Sequence, residues 1–298
     1  MRPSHDLVLI LAGLAAVAVA GAFASDYWIG FGIALMAAIA LTQSWAVLSA
    51  LSGYISLGHV VFYGLGTYTV VITWNEIPLP LALILAAVVA AAFAFIIGLP
   101  VLRVRGPYFV ILTFGIAELV KYVLIAIEAA LGHASRLILG APDPIVIFYL
   151  LLGLALIATL IAAGVRANRL GHGLRALRED EEAAETIGVP AARYKLIAFV
   201  ISAAIPGSVG GVMALRATYF EPNTAFDPMI SFAMIAMTII GGSDDLIGPV
   251  LGAVLLTGLS ELLWDVAPQG YMIILGVLLL IFVRFLPEGL SGLIRRAR

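Results

Sequence analysis

The chain has 298 residues, of which 63% are apolar and 11% charged, with a net charge of −2. Soluble domains run nearer ~45–50% apolar and ~25% charged, so this composition excludes an ordinary soluble enzyme, and its hydrophobicity excludes a disordered chain. The absence of cysteine excludes disulfides and thiolate metal sites, the four histidines (His5, His59, His133, His172) show no metal-ligand spacing, and the near-neutral charge argues against a nucleic-acid partner. What remains is an all-α polytopic membrane protein, with residues 1–298 as one transmembrane domain.

Ten apolar segments are expected to cross the bilayer: 7–24, 28–50, 56–74, 79–102, 107–127, 145–165, 195–215, 229–241, 247–264 and 270–286. The first, together with Arg2 and Ala22-Phe23-Ala24, imitates a signal peptide. It is longer than the usual ~7–15-residue signal core, so a retained helix is expected. The segment 56–74 is interrupted. His59 lies among Gly53, Gly58, Gly64 and Gly66, residues that permit close packing or a helix break. Broken helices also mark binding sites in transporters. His59 therefore reads either as a hydrogen-bonded core residue or as a contact on a transport pathway. The 107–127 segment carries Glu118 and Lys121, three residues apart and so on one helix face. Charges at that depth belong in a bundle interior or a water-filled cavity. The pair reads as a pathway element, as a structural ion pair, or as a lysine reaching outward. The segment 229–241 is short, and Gly241-Gly242-Ser-Asp-Asp-Leu-Ile-Gly248-Pro249 follows it as a second glycine-rich break. Short or broken segments must be buried in protein or face water, because lipid cannot satisfy exposed amides.

With the N-terminus inside, thirteen of the sixteen basic residues fall on the cytoplasmic side; only Lys121, Arg136 and Arg216 do not. The positive-inside rule thus supports ten spans with both termini cytoplasmic. The outer segments are 25–27, 74–78, 128–144 and 216–228, the last carrying Glu221 and Asp227, which could meet a basic rim on a docking protein.

Residues 166–195 form the only substantial polar stretch. The spacing predicts one cytoplasmic helix over 173–188, with Gly188 at its C-terminal end and Pro190 beyond. Arg175–Glu179 and Arg178–Glu182 stand at i,i+4. Leu174, Leu177, Ala184 and Ile187 form an apolar side, which suits a helix lying on a partner. Asp180 and Glu181 intrude on it and need basic partners.

Glu182-Ala183-Ala184-x-x-x-Gly188 has the form of the loop by which ABC importer permeases dock on their ATPase subunits. Around it, Arg175-Ala-Leu-Arg178, Ile187-Gly-Val and Arg193-Tyr-Lys-Leu-Ile-Ala-Phe-Val-Ile-Ser-Ala203 resemble the branched-chain amino acid permease family, in particular its LivM-like branch. So do Leu57-Gly-His-Val-Val-Phe-Tyr-Gly-Leu-Gly-Thr-Tyr68, Arg105-Gly-Pro-Tyr-Phe109 and Gly241-Gly-Ser-Asp-Asp-Leu-Ile-Gly-Pro-Val-Leu-Gly-Ala253. The resemblance covers roughly residues 30–290. It implies a type II importer architecture with the coupling loop between spans six and seven. It implies cargo such as leucine, isoleucine and valine, or amides and urea. It also implies a second homologous permease subunit or a second copy, two cytoplasmic ATP-binding subunits, an extracytoplasmic solute-binding protein, and a bacterial inner (plasma) membrane. Arg175, Arg178, Glu182, Ala183, Ala184 and Gly188 are then the ATPase-coupling candidates.

No Gly-x-x-x-x-Gly-Lys-Ser/Thr occurs, so ATP would be used by partner subunits rather than by this chain. No nucleophile elbow or His-Glu-x-x-His motif appears, so no catalysis and no cofactor of its own are expected. The competing class is an ion-coupled secondary transporter using Glu118 as its coupling carboxylate. It leaves the 166–195 loop unexplained.

Overall fold

The computed structural model describes residues 3–74, 76–132, 136–138, 140–217, 219–266, 276–277, 280, 284 and 289–296. Helices dominate: α1 (Pro3–Gly21), α2 (Asp26–Ser52), α3 (His59–Thr73), α4 (Leu79–Val101), α5 (Pro107–Ala130), α6 (Pro144–Ala167), α7 (Arg169–Glu179), α8 (Glu181–Thr186), α9 (Ala191–Ala214), α10 (Pro222–Ala225), α11 (Met229–Gly241), α12 (Ile247–Val266) and α13 (Gly289–Arg296). A two-residue antiparallel ladder, β1 (Arg136–Leu137) with β2 (Tyr219–Phe220), joins the helices among the described residues. Prolines open α4, α5, α6 and α10, where a missing N–H costs no hydrogen bond.

Each of the first nine expected segments contains a helix, whereas the tenth, 270–286, lies almost entirely outside the described residues. The expectation of about ten spanning helices is not confirmed. Among the described residues, six helices are long and apolar enough to cross a bilayer, and His5–Gly21, His59–Thr73 and Ile247–Leu263 are shorter apolar helices. The fifteen residues of α3 cover roughly 22 Å at 1.5 Å per residue, short of a ~30 Å hydrocarbon core.

Before α3 lies a non-helical stretch whose backbone the protein interior satisfies. Trp45 Nε1 donates to the Ser56 carbonyl at 2.9 Å. Thr113 Oγ1 accepts from Leu57 N at 3.2 Å. Ser231 on α11 accepts from Val60 N at 3.0 Å and donates to the Leu57 carbonyl at 2.8 Å. Irregular backbone at depth is therefore covered by protein, as lipid would require.

α2 is the central helix, buried over most of its length. Its polar residues are used rather than merely tolerated. Pro206 inside α9 removes the N–H that would have bonded the Ser202 carbonyl, and Ser44 Oγ on α2 donates to that carbonyl at 2.7 Å. Gln43 Nε2 donates to the Leu246 carbonyl at 2.8 Å.

α4 packs on α9 through Ala82, Ala86, Ala90, Ala94 and Gly98, a stripe of small residues every four positions that are all buried. Leu81, Ile84, Val88, Phe95 and Leu99 face outward. Small residues inside and large ones outside are what close helix approach in lipid favours.

The bundle has two distinct ends. At one, the 53–58, 102–106, 168–190 and 242–246 segments meet. At the other, β1 pairs with β2, and Glu128 holds Arg136 through two bonds of 3.0 and 2.9 Å while accepting from the Tyr68 hydroxyl. Segments that charge asymmetry assigns to one side of the membrane thus gather at one end. Asp227 at the strand end accepts from Met229 N, the first amide of α11, at 2.9 Å.

Candidate functional site

The polar loop folds as two helices, not as the single helix expected over 173–188. The break is at Asp180, whose backbone is extended (φ −156, ψ 111) and whose side chain accepts from Ala183 N at 3.0 Å. A short acid competes with the helix for backbone amides and is better placed as a cap. The far end closes on Gly188 at φ +93. Gly188 N donates to the Glu185 carbonyl and Val189 N to the Ala184 carbonyl, both at 3.0 Å. This is a Schellman end, and its left-handed position is the one glycine fills without strain.

The apolar side, expected to lie on a partner, is used within the chain. Leu174, Leu177 and Ala184 are buried, as are Gly171 and Gly173, the latter against the Tyr194 ring. Ile187 departs from that side and is 79% exposed.

The expected i,i+4 pairs do not form either. Arg175 donates to the carbonyls of Arg166 (2.7 Å) and Gly171 (3.4 Å). Arg178 donates to the Ala50 carbonyl in the last turn of α2 and to Asp244 Oδ1, both at 3.0 Å. It lies against Gly53, the left-handed cap of α2. Cations are favoured at helix C-termini, where free carbonyls collect. Arg166 at the end of α6 reaches the carbonyls of Asp244 (2.8 Å) and Ser243 (3.1 Å). Three arginines thus tie α2, α6, α7 and the 242–246 segment together.

α8 is anchored separately. Glu181 Oε1 stands 2.8 Å from Lys195 Nζ on α9 and 3.2 Å from the Arg105 guanidinium. Its Oε2 accepts from the Tyr54 hydroxyl at 2.7 Å. Lys195 also donates to that hydroxyl at 3.0 Å and lies 4.5 Å from the Tyr54 ring centroid. Burial opposes ionisation of Glu181, but Lys195, Tyr54 and Arg105 outweigh it and hold the carboxyl below the usual carboxylate range. Burial first, and then the Glu181 carboxylate, raise the Tyr54 phenol, which stays a donor. Glu182, by contrast, has an 87% exposed side chain with Arg105 at 3.8 Å, and Ala183 is exposed beside it.

The remaining candidates are placed elsewhere. His59 is fully buried, with Nε2 at 3.2 Å from Ser202 Oγ and its ring edge-on to Phe62 and Phe199. Gly58 sits beside Thr113. Gly241 and Gly248 bring α11 and α12 into backbone contact, and Gly242 (φ +103) turns between them. These glycines serve close packing and a turn. Glu118 and Lys121 form an ion pair along α5. The buried stripe of α5 is Phe109, Thr113, Ala117, Val120, Leu124 and Glu128, so the pair flanks the packed face instead of entering the chain's own core. His59 and the ion pair are not brought together. At the strand end, a cleft of about 80 Å³ lined by Thr67, Tyr219 and Glu221 adjoins a methionine-lined one of about 250 Å³, with Tyr63 and Met213 in the walls of both.

Residues 23–283 match the family described as the branched-chain amino acid transport system permease component. The chain belongs to that family. The LivM permease of the high-affinity branched-chain amino acid transport system from Salmonella typhimurium is 31% identical over 289 residues, covering 84% of this chain and 66% of that protein. The Escherichia coli LivM is 30% identical over the same coverage. The L-arabinose transport system permease AraH of E. coli is 30% identical across 52% of this chain and 47% of its own length. The chain therefore spans 66% of the length of its LivM relatives. No solved structure matches. The family is a transport permease component and not an enzyme class, in keeping with the multi-pass membrane character of the helices.

Reading this permease from sequence misses Tyr54, Arg105, Arg166, Lys195 and Asp244 as members of one site. One signal was available: Glu181 on an apolar helix side requires a cation. A helical wheel cannot name that cation, because Tyr54 and Arg105 lie far away in sequence and Lys195 belongs to the next span.

Proposed function

We propose that this chain is a transmembrane permease subunit of a binding-protein-dependent ABC importer. It forms part of the translocation pathway for branched-chain amino acids or related small polar solutes. The 166–195 loop lies on the cytoplasmic side between the sixth and seventh spans of a single membrane domain, and separate ATPase subunits dock on it. Both termini are cytoplasmic, and the membrane is the bacterial inner membrane. A second permease, homologous or identical, completes the pathway. Two ATPase subunits supply ATP hydrolysis, and an extracytoplasmic solute-binding protein delivers cargo at the strand end, where Glu221 is exposed.

The observation that carries this reading is the build of the α7–α8 unit. It is fixed from beneath to α2, α6, α9 and the inter-helix segments 53–58, 102–106 and 242–246, while Glu182, Ala183, Ile187 and Gly188 are presented outward. A solvated connector needs no such anchorage, whereas a surface that receives force does. The Glu118/Lys121 pair, lying outside the chain's own packed face, faces the route shared with the second permease.

Reconstitution tests the reading. Proteoliposomes holding this chain, its partner permease and ATPase subunits, supplied with binding protein and radiolabelled leucine, should accumulate leucine only with ATP. The isolated chain should neither hydrolyse ATP nor accumulate solute. Uptake of an amide or urea in preference to leucine would move the cargo within the family. Accumulation driven by an ion gradient without ATPase subunits would favour the secondary-transporter reading.

A further inference from the structure

Glu181 is held by two cations that differ in kind. Lys195 has a side chain only 4% exposed and shares the Tyr54 hydroxyl, so it is part of the packed interior. Arg105 has a side chain 52% exposed and reaches Glu181 from the segment between α4 and α5. Gly106 follows it directly, at φ +63 and ψ −143, a region essentially closed to other residues. Pro107 then opens α5. The two helices on either side of this junction are held very differently. α4 is locked to α9 by its alanine stripe. α5 is 22% buried against 33% in α4, and it carries no comparable stripe of small residues against a neighbouring helix.

We propose that the Arg105–Glu181 pair is the link by which the α7–α8 unit moves α5, with Gly106 as the pivot. Lys195 and Tyr54 keep Glu181 aimed while the link works. The proposal rests on the docking role given above. A displacement of α8 carries its first residue, Glu181. Arg105 follows the carboxylate because the two charges attract at 3.2 Å and the Glu181 side chain, 13% exposed, is largely shielded from water. α4 resists, since moving it would break a close-packed face, so the displacement is taken up beyond Gly106. α5 bears Glu118 and Lys121, and its motion re-aims that ion pair relative to a facing subunit. Arg105 is thus a positioning residue and touches neither solute nor nucleotide.

The test uses the assembled complex in lipid nanodiscs and proteoliposomes. Because the chain has no cysteine, spin labels can be placed at Phe95 on α4 and Ile111 on α5, both outward-facing, without background from this subunit. With native Arg105, the distance between labels should change on ATP binding. Arg105→Gln should assemble, bind the ATPase subunits and hydrolyse ATP normally. Solute moved per ATP should fall about tenfold, within the usual range of site-to-site coupling, and the distance change should vanish. Arg105→Lys should restore most of both. The proposal is overturned if Arg105→Gln keeps its uptake and distance change. It is equally overturned if the variant loses assembly without recovery in Arg105→Lys, which marks a structural brace, or if ATPase affinity falls, which marks a direct contact. If the unsubstituted complex shows no ATP-driven uptake, the docking role itself fails, and the link with it.

Discussion

Lys195→Met removes the buried cation from beneath α8 and replaces it with an apolar chain of similar length. Lys195 Nζ lies 2.8 Å from Glu181 and 3.0 Å from the Tyr54 hydroxyl. Breaking a buried ion pair by deleting one partner costs about 3–5 kcal/mol, because the other charge is left uncompensated. Here the remaining charge is not abandoned. Glu181 is 13% exposed and keeps both the Tyr54 hydroxyl and Arg105, so the cost falls to about 2–3 kcal/mol, the scale of one lost charged hydrogen bond. That cost is local, since the pair joins α8 to α9 and does not hold the spans together. Hydrogen exchange followed by mass spectrometry should show the amides of 184–189 opening roughly 30- to 150-fold more often, at ~1.4 kcal/mol per decade, while α2 and α9 stay protected. Adding Glu181→Leu should recover part of the protection, because the orphaned charge is gone. Unchanged protection over 184–189, or a uniform rise across α2 and α9, would refute the reasoning.

Four further outcomes follow from the same geometry. Gly188→Val forces a branched residue into a left-handed position at a cost of about 1–2 kcal/mol, and it should uncouple ATP hydrolysis from uptake while circular dichroism shows the spans intact. Ser44→Ala should lower the melting temperature by orphaning the Ser202 carbonyl, a loss of about 1–3 kcal/mol, and Pro206→Ala should offset part of it by supplying the missing amide. Glu118→Gln should leave the complex assembled but change the uptake rate or cargo preference; reduced assembly partly rescued by Lys121→Met would mark the pair as structural. Glu181 has its folded pKa depressed, so its contribution is complete above the unfolded carboxylate pKa and is lost as pH falls through the lower folded value. Proteolysis of the 181–189 segment should therefore rise only below the ordinary carboxylate range, and Glu181→Gln should abolish that dependence.

Apolar run length and helix punctuation made most of the architecture readable, because the bilayer forces backbone satisfaction into local helices. The order and approximate limits of nine segments follow from that alone, as does the placement of the polar loop between α6 and α9. Tertiary partners were not readable. Arg175 and Arg178 have acids four residues on, yet Arg175 turns to backbone carbonyls and Arg178 to the Ala50 carbonyl and Asp244, since α7 lies on the C-terminal ends of α2 and α6, where free carbonyls collect. Asp180 lies inside the stretch whose spacing predicts one continuous helix, but its capping preference wins. The apolar side of the loop was legible as a buried face, but a wheel cannot say whether the burying surface is another subunit or the chain itself. The interruption before α3 was visible in Gly53 and Gly58, whereas its solution, Ser231 and Thr113 reaching in from distant helices, carries no local signature.

The central claim is that the exposed tip of the α7–α8 unit meets a separate ATPase. A photoreactive cross-linker on a single cysteine at Ile187 tests it most directly, because that side chain is 79% exposed at the tip and no other cysteine competes in this chain. In the purified complex, irradiation should yield one product joining this chain to the ATP-binding subunit, while the same probe at Glu221 should yield none. Cross-linking at Ile187 to lipid or to the second permease alone, with capture of the ATP-binding subunit from Glu221, would contradict the account.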